Sequence, residues 1–454
     1  MGQPIEPLRA IVMTGSAQQG SPRFAWGGCS VLRHGTWKGM SPDLLADEGR
    51  AVPPVPAWQA PTDIERGLYE AKTRGDWAAY FDVLATANLY HAMSPARADS
   101  RTGWVSYTPT YWGPHSGTKM LVFLTDGMLP APAPDPIFFQ DDLGELARNW
   151  PQGDEWLAIN PGSPCEAFFP ATAAHRMAWR RHADRMTFPR RNELRTLWAG
   201  GPLHGPVAHG LACGALLCVK NASLWNAMGW HGTGYVRERK RLKEWWGISS
   251  REEWLSAMEA LLDGRTSSPF WGLVLGIRSV LARDFGGRVE VDHWRQVTSR
   301  VIRNRDTENG TVPGGGTAPH SGSETEAQVA GAQRLIGRIT RYEARFRADG
   351  LLAEGGFVHG VEAWDYGRAS KMARWGLGAR YCDLAEAEQA VLRAGRLSGI
   401  NYRSWEDFSA AYILGRCLHF DEEEFGDWYG EMLNAHRILT TDPNSPWLNI
   451  PFKQ

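Results

Sequence analysis

The residue types best suited to chemistry crowd the stretch from Trp364 to Trp375, which reads Trp-Asp-Tyr-Gly-Arg-Ala-Ser-Lys-Met-Ala-Arg-Trp. Glu362 to Tyr381 has helical spacing and no proline. At ~3.6 residues per turn, Trp364, Arg368 and Trp375 fall close to one stripe, and Asp365 lies one turn before Arg368. A guanidinium held between two indole faces and anchored by a carboxylate suits arginine better than lysine. Two readings follow. Either Arg368 and Arg374 grip an anionic group, or a buried Asp–Arg pair fixes helix register. Arg416 and Trp405 lie further along the chain and extend the same chemistry. The candidate ligand-binding set is therefore Trp364, Asp365, Arg368, Arg374, Trp375, Trp405 and Arg416.

Other constellations are weaker. His204, His209, Cys213 and Cys218 have metal-ligand chemistry. On one continuous helix, however, Cys218 points away from the face that His209 and Cys213 share. Buried thiols with surface histidines are the simpler reading, and no metal or cofactor is expected. Gly232-x-Gly234 is too short for a dinucleotide loop, and no Gly-x-Ser-x-Gly, His-Glu-x-x-His or P-loop spacing occurs. His115-Ser116 and the lone His231 form no dyad. Asp421 to Glu424 suits a first helical turn, where carboxylates oppose the macrodipole. Asp365 and Glu406 are a carboxylate pair that only the fold can bring together or separate.

The elements that must position these residues are mostly helical. The chain has 454 residues, enough for two or three domains. Lys+Arg is 49 and Asp+Glu is 50, so 49 − 50 leaves a formal charge of −1 and no global pull toward nucleic acid or anionic membrane. Six scattered cysteines read as free thiols in a reducing cytoplasm. No apolar run reaches membrane-spanning length, and no signal peptide is evident. Residues 1–60 are Gly-, Pro- and Ser-rich and read as a loosely attached arm. Helices are expected around Ile64–Lys72 and Trp77–Leu84. Strands are expected at Asn88–Met93, Trp104–Tyr111, Met120–Thr125 and Trp156–Asn160. Residues 174–206 carry a basic helix read as a solvated connector.

From residue 207 onward the pattern is helical. One helix is expected from Gly210 to Met228 and a basic one from Tyr235 to Trp246. The next is capped by Ser249 or Ser250 with an acid three residues on, with Trp254, Met258, Leu261 and Leu262 inward. Residues 304–323 read as a flexible insertion. Val329, Leu335, Ile336, Ile339, Tyr342 and Phe346 form the stripe of the long helix that follows. Asp383 with Glu386, and Ser404 with Asp407, cap two later helices. Trp447 to Phe452 is a packing tail.

Two stretches resemble known families. Gly75-Asp76-Trp77, Leu89-Tyr90, Val122-Phe123-Leu124-Thr125-Asp126 and Ile159-Asn160-Pro161-Gly162-Ser163 resemble the N-terminal domain of the SseB family. That resemblance covers roughly 61–170 and implies a non-catalytic domain. Trp245-Trp246-Gly247-Ile248, Ala363-Trp364-Asp365-Tyr366-Gly367-Arg368, Ser404-Trp405-Glu406 and Leu414-Gly415-Arg416 resemble a bacterial domain-of-unknown-function family, number twelve-sixty-six, represented by the enterobacterial YbeU and YbeR proteins. It covers about 210–440 and implies a helical domain without an established reaction.

The expected fold is α+β, with a small N-terminal α/β domain over 61–173 and a larger, mainly helical domain over 207–454. The expected function is that of a non-catalytic cytoplasmic bacterial protein that binds another protein, accessory to a secretion, toxin or stress system. The alternative is an enzyme or small anionic-ligand binder using the Arg/Trp/Asp cluster. Nucleic-acid binding by the two basic segments ranks below both.

Overall fold

A computed structural model of the chain describes residues 58–99, 107, 109–111, 118–151, 155–186, 192–287, 289–309, 322–421 and 425–453. The arm read over residues 1–60 lies outside these except for its last three residues, of which Trp58 packs edge-on against Tyr69.

The N-terminal half is α+β. Helices α1 (Asp63–Thr73) and α2 (Trp77–Thr86) lead into β1 (Leu89–Met93) and the short α3 (Pro95–Asp99). Then come β2 (Thr110–Tyr111), β3 (Lys119–Phe123), β4 (Ile137–Asp141), α4 (Leu143–Asn149), β5 (Trp156–Ile159), β6 (Ala167–Pro170) and α5 (Ala173–Arg185). Asp76 and Asp142 cap α2 and α4 by accepting from the amides of Ala79 and Glu145, satisfying donors that have no partner inside the helix. One sheet runs β2-β3-β5-β6, with β3 and β5 parallel and the outer pairs antiparallel. Leu121, Phe123, Leu157, Ile159 and Phe169 bury their apolar side chains against Tyr80, Phe81, Leu146 and Trp179. The Asn-Pro-Gly-Ser turn after β5 is structural: Asn160, with positive φ, accepts from the Thr125 amide at 2.9 Å and donates to its hydroxyl.

Three expectations need correction here. The strands β4 and β6 fall where none is expected. Of the strand expected over Trp104–Tyr111, only Thr110–Tyr111 is a strand, and most of the remainder lies outside the described residues. The basic helix α5 is no solvated connector, because Trp179 is fully buried in the N-terminal core.

The second half is helical. Helices α6 (Gly205–Ala212) and α7 (Ala215–Lys220) replace the single helix expected over Gly210–Met228. A two-residue strand, β7 (His231–Gly232), precedes α8 (Tyr235–Trp246), α9 (Arg251–Leu262), α10 (Pro269–Asp284) and α11 (Val291–Asn309). The chain closes with α12 (Gly322–Ala348), α13 (Glu362–Ala379), α14 (Leu384–Asn401), α15 (Trp405–Phe420), α16 (Asp427–Thr441) and α17 (Pro446–Asn449). The insertion read over 304–323 is thus narrower: α11 runs to residue 309 and α12 starts at 322, with 310–321 outside the described residues. Capping boxes at Ser250/Glu253 and Asp383/Glu386 set the starts of α9 and α14. Among the described residues no helix is long and apolar enough to cross a membrane.

Helix α13 is the axis. Helices α6, α7, α8, α9, α14 and α15 all pack on it, and fifteen of its eighteen residues are buried. Close approach depends on glycine: a Cβ on Gly376 would lie 2.1 Å from the Trp254 indole nitrogen, and one on Gly367 would lie 2.6 Å from the Tyr412 ring. The two halves are stitched together. Strand β7 comes from the helical half yet pairs in parallel with β4, extending the sheet β1-β4-β7. Arg195 meets Asp126 at 2.6 Å with both side chains buried, and Asn226 exchanges two hydrogen bonds with the backbone of Leu197.

Candidate functional site

The cluster read from the sequence separates into three places. The first is closed. Arg368 lies 3.5 Å over the Trp364 ring and pairs with Asp365, whose other oxygen accepts from the Ser267 amide at 3.0 Å. The second indole of the sandwich is Trp246, at 5.5 Å, and not Trp375. Helical geometry explains this: Trp375 is almost two turns beyond Arg368, while α8 crosses α13 beside it. The second place is the tail. Trp405 stacks on Trp447 at 5.5 Å, donates to the Ile450 carbonyl and touches His209 and Phe452. Glu406 lines a separate cleft with Arg283, His359, Arg403 and Asp407, so it does not meet Asp365.

The third place is open. Lys371 and Arg374 sit one turn apart on α13 and face a cavity of about 140 Å³ between that helix and strands β4 and β7. Its walls include Phe138, Ser223, His231, Glu238, Arg241 and Trp375. Local chain geometry delivers each. Helix α7 ends with Ala222 at positive φ, and the Ser223 amide reaches back to the Cys218 carbonyl at 3.0 Å, the pattern of a Schellman stop. That stop sets the Ser223 hydroxyl 2.6 Å from Lys371 Nζ. The β7 pairing stacks the His231 ring on Phe138 at 5.2 Å. Helix α8 presents Glu238, which accepts from Thr233 and, at 3.1 Å, from Arg241.

The electrostatics of this place are unusual. Arg374 donates to the carbonyls of Leu224, Trp225 and Ala227 at 2.8 to 3.3 Å, and to the Cys218 sulfur. Lys371 donates to Ser223, with Cys218 Sγ at 3.9 Å. Both cations are nearly sealed, with relative exposures of 6% and 7%, and neither has a carboxylate partner among the described residues. By contrast, the buried Arg195 and Arg278 and the largely covered Arg368 each meet a buried carboxylate, while Arg416, also 6% exposed, pairs with none among the described residues. Burial, reinforced by the like charge of Arg374, pulls the Lys371 ammonium down to about 8. Burial pushes the Cys218 thiol up, but Arg374 and Lys371 outweigh it and hold it below the usual thiol range.

Of the candidate set, Arg374 and Trp375 line this cavity, while Trp364, Asp365, Arg368 and Trp405 do not. Arg416 borders the first place, its guanidinium 5.2 Å from the ring of Phe420, which packs edge-on against Trp364, and 4.8 Å from the Trp428 ring. The sequence reading passed over Lys371, Ser223 and Glu238. The signal was a lysine embedded in Ala369-Ser370-Lys371-Met372-Ala373, a small and apolar stretch that marks it for burial. Cys218 was weighed only as a metal ligand. His209, expected at the surface, is buried and meets the Phe452 carbonyl, and Cys213 donates to the His209 carbonyl.

A partial family match bears on this geometry because α13 supplies both cations. Residues 241–452 match the model of a family described as a protein of unknown function, DUF1266. The DUF1266 domain holds all of α13, and so Lys371, Arg374 and Trp375. Cys218, Ser223, His231 and Glu238 precede the matched residues, so the cavity straddles the edge of the domain. No curated protein and no solved structure matches the chain.

Proposed function

We propose that this protein binds a small anionic molecule in the cavity between α13 and strands β4 and β7. One observation carries the reading: Lys371 and Arg374 are buried cations that border a cavity, and neither is ion-paired with a carboxylate among the described residues. An isolated buried charge costs several kcal/mol, so it needs an opposite charge beside it. The Cys218 thiolate supplies at most one. Lys371, Arg374 and Arg241 against Glu238 and that thiolate still leave a positive lining, which an anion would neutralise. The test is calorimetric titration of the full chain with phosphate and with small carboxylates, alongside thermal melts. Binding should raise stability by about 2.7 kcal/mol at a hundredfold excess over Kd, and Lys371→Met should abolish it. Flat titrations with the whole panel would sink the reading.

A second reading, a non-catalytic role in binding another protein, draws on a different surface. Phe420 and Trp428 are stacked at 4.8 Å and are about 40% exposed, with Arg416 and Lys220 both within 4.8 Å of the Trp428 ring. Exposed aromatics beside cations are the composition of binding hot spots. The resemblance of residues 61–170 to the SseB family supports the same role, in a secretion, toxin or stress setting. Free thiols at Cys165, Cys213, Cys218, Cys382 and Cys417 fit a bacterial cytoplasm. A stoichiometric partner that co-purifies with the full chain and is lost in Trp428→Glu would support this reading. An unchanged partner would count against that surface.

A further inference from the structure

The strongest chemical feature of the cavity is the amine. Lys371 Nζ lies 2.6 Å from a hydroxyl, borders the cavity, and forms no ion pair with a carboxylate among the described residues. The neighbouring guanidinium of Arg374 adds like charge at the other side of Cys218. A desolvated lysine beside a second cation is one of the standard ways to make an amine nucleophilic. We propose that Lys371 condenses with the carbonyl carbon of a small anionic aldehyde or ketone bound in this cavity, forming a Schiff base, with the Ser223 hydroxyl relaying protons. This inference rests on the anion-binding reading above and specifies its ligand.

The step balances without any other reagent. The Nζ lone pair attacks the carbonyl carbon, a C–N bond forms and the C=O π pair moves to oxygen. Ser223 passes a proton from nitrogen to that oxygen, giving a carbinolamine. The second N–H proton then passes through Ser223 to the same oxygen, the C–O bond breaks, one water leaves, and C=N remains. The hydroxyl at 2.6 Å can do this in either direction, since it both donates and accepts. The ligand must be small: about 140 Å³ is room for a few water molecules or one compound of a few non-hydrogen atoms. Its anionic group offsets the positive lining, and its carbonyl meets the amine. Phe138, Trp375 and Leu377 give the cavity an apolar wall beside the amine.

The experiment uses the full chain with two probes, pyruvate and lactate, which share size and charge but differ in the carbonyl. Binding of each is followed by equilibrium dialysis. Each mixture is then treated with sodium borohydride and the modified lysines are mapped by peptide mass spectrometry. The expected result is binding of both probes, with a reduced adduct from pyruvate alone. That adduct should lie on Lys371 at about tenfold or more the level on the exposed Lys240 and Lys243, which border no such cavity. Lactate should suppress it by competition, a test that needs no variant. Lys371→Arg keeps the charge and removes the amine, so it should retain binding and lose the adduct. Binding without an adduct overturns the Schiff base and leaves the anion reading standing. Absence of binding by either probe overturns both. Adducts spread evenly over surface lysines overturn the special reactivity of Lys371.

Discussion

Helix α13 carries two cationic clusters two turns apart, and they are built on opposite principles. At its start, Arg368 is paired with Asp365, flanked by Trp364 and Trp246, and Asp365 in turn accepts from the Ser267 amide. Both charged groups there have partners inside the chain. Toward its end, Lys371 and Arg374 are as deeply buried but meet only carbonyls, a hydroxyl and a sulfur, and they border a cavity. Electrostatic self-sufficiency marks the first as a device that holds α8 and the segment between α9 and α10 on α13. Uncompensated charge marks the second as a place prepared for something else. A stretch that reads as one arginine–tryptophan cluster in sequence is therefore one structural pair and one candidate site.

The sharpest way to break the comparison is to remove Asp365. Asp365→Ala leaves Arg368 buried without its carboxylate and the Ser267 amide without its acceptor. The expected loss is about 3–5 kcal/mol of unfolding free energy, the range for orphaning one partner of a buried pair. Denaturant titration of the two chains measures it. A loss near zero would mean that Arg368 reaches solvent and that the closed cluster is not closed.

The opposite sign is expected at the other end. Lys371→Met replaces an uncompensated cation by an apolar side chain of similar length. Without ligand, it should leave stability unchanged or raise it by about 1–4 kcal/mol, while abolishing the anion binding proposed above. A destabilised variant would show that Lys371 has a structural role like that of Arg368.

What the sequence made legible follows from how local each feature is. The caps at Ser250, Asp383 and Ser404 are read from residues three apart and are present. The stripe from Val329 to Phe346 is buried, as helical periodicity requires. The strand cores at 89–93, 119–123 and 156–159 were visible as apolar runs. β4 was not, because Ile137-Phe138-Phe139-Gln140-Asp141 follows a proline-rich run and alternates poorly. β7 is two residues long and exists only through pairing with a strand almost a hundred positions earlier. The candidate site was half legible for the same reason. Arg374 and Trp375 stand out by type, but Ser223 and Cys218 join Lys371 across about 150 residues, and nothing local announces them.

The pH dependence refines the contrast. In the folded chain Lys371 loses its proton at about 8, whereas in the unfolded chain it holds it to about 10.4. Between those values the unfolded state binds more protons, so this group's contribution makes stability rise with pH, with a slope that approaches about 1.4 kcal/mol per unit. Below about pH 8 the full burial penalty is present. Cys218, Glu238, Arg241 and Arg374 face the same amine and broaden the transition. The measurement is the stability difference between Lys371→Met and the parent chain, which should shrink as pH rises through this window. Asp365→Ala, whose effect rests on an arginine that stays charged, should keep a constant difference there.

The smallest effect separates the two indoles. Trp364 has Arg368 stacked on its face at 3.5 Å, and Trp375 has only the Lys371 ammonium at 5.9 Å, near the limit of the interaction. A desolvated cation over an indole contributes about 2 kcal/mol or more, and a distant one far less. Phenylalanine keeps much of the apolar volume at either position but is a poorer partner for a cation. Trp364→Phe should therefore cost about 1 kcal/mol more than Trp375→Phe in denaturant unfolding of the ligand-free chain. The order reverses for ligand binding, since Trp375 lines the cavity and Trp364 does not. Equal costs in stability, with binding untouched by Trp375→Phe, would reduce the two clusters to one kind of packing and remove the reason to look for a ligand at only one of them.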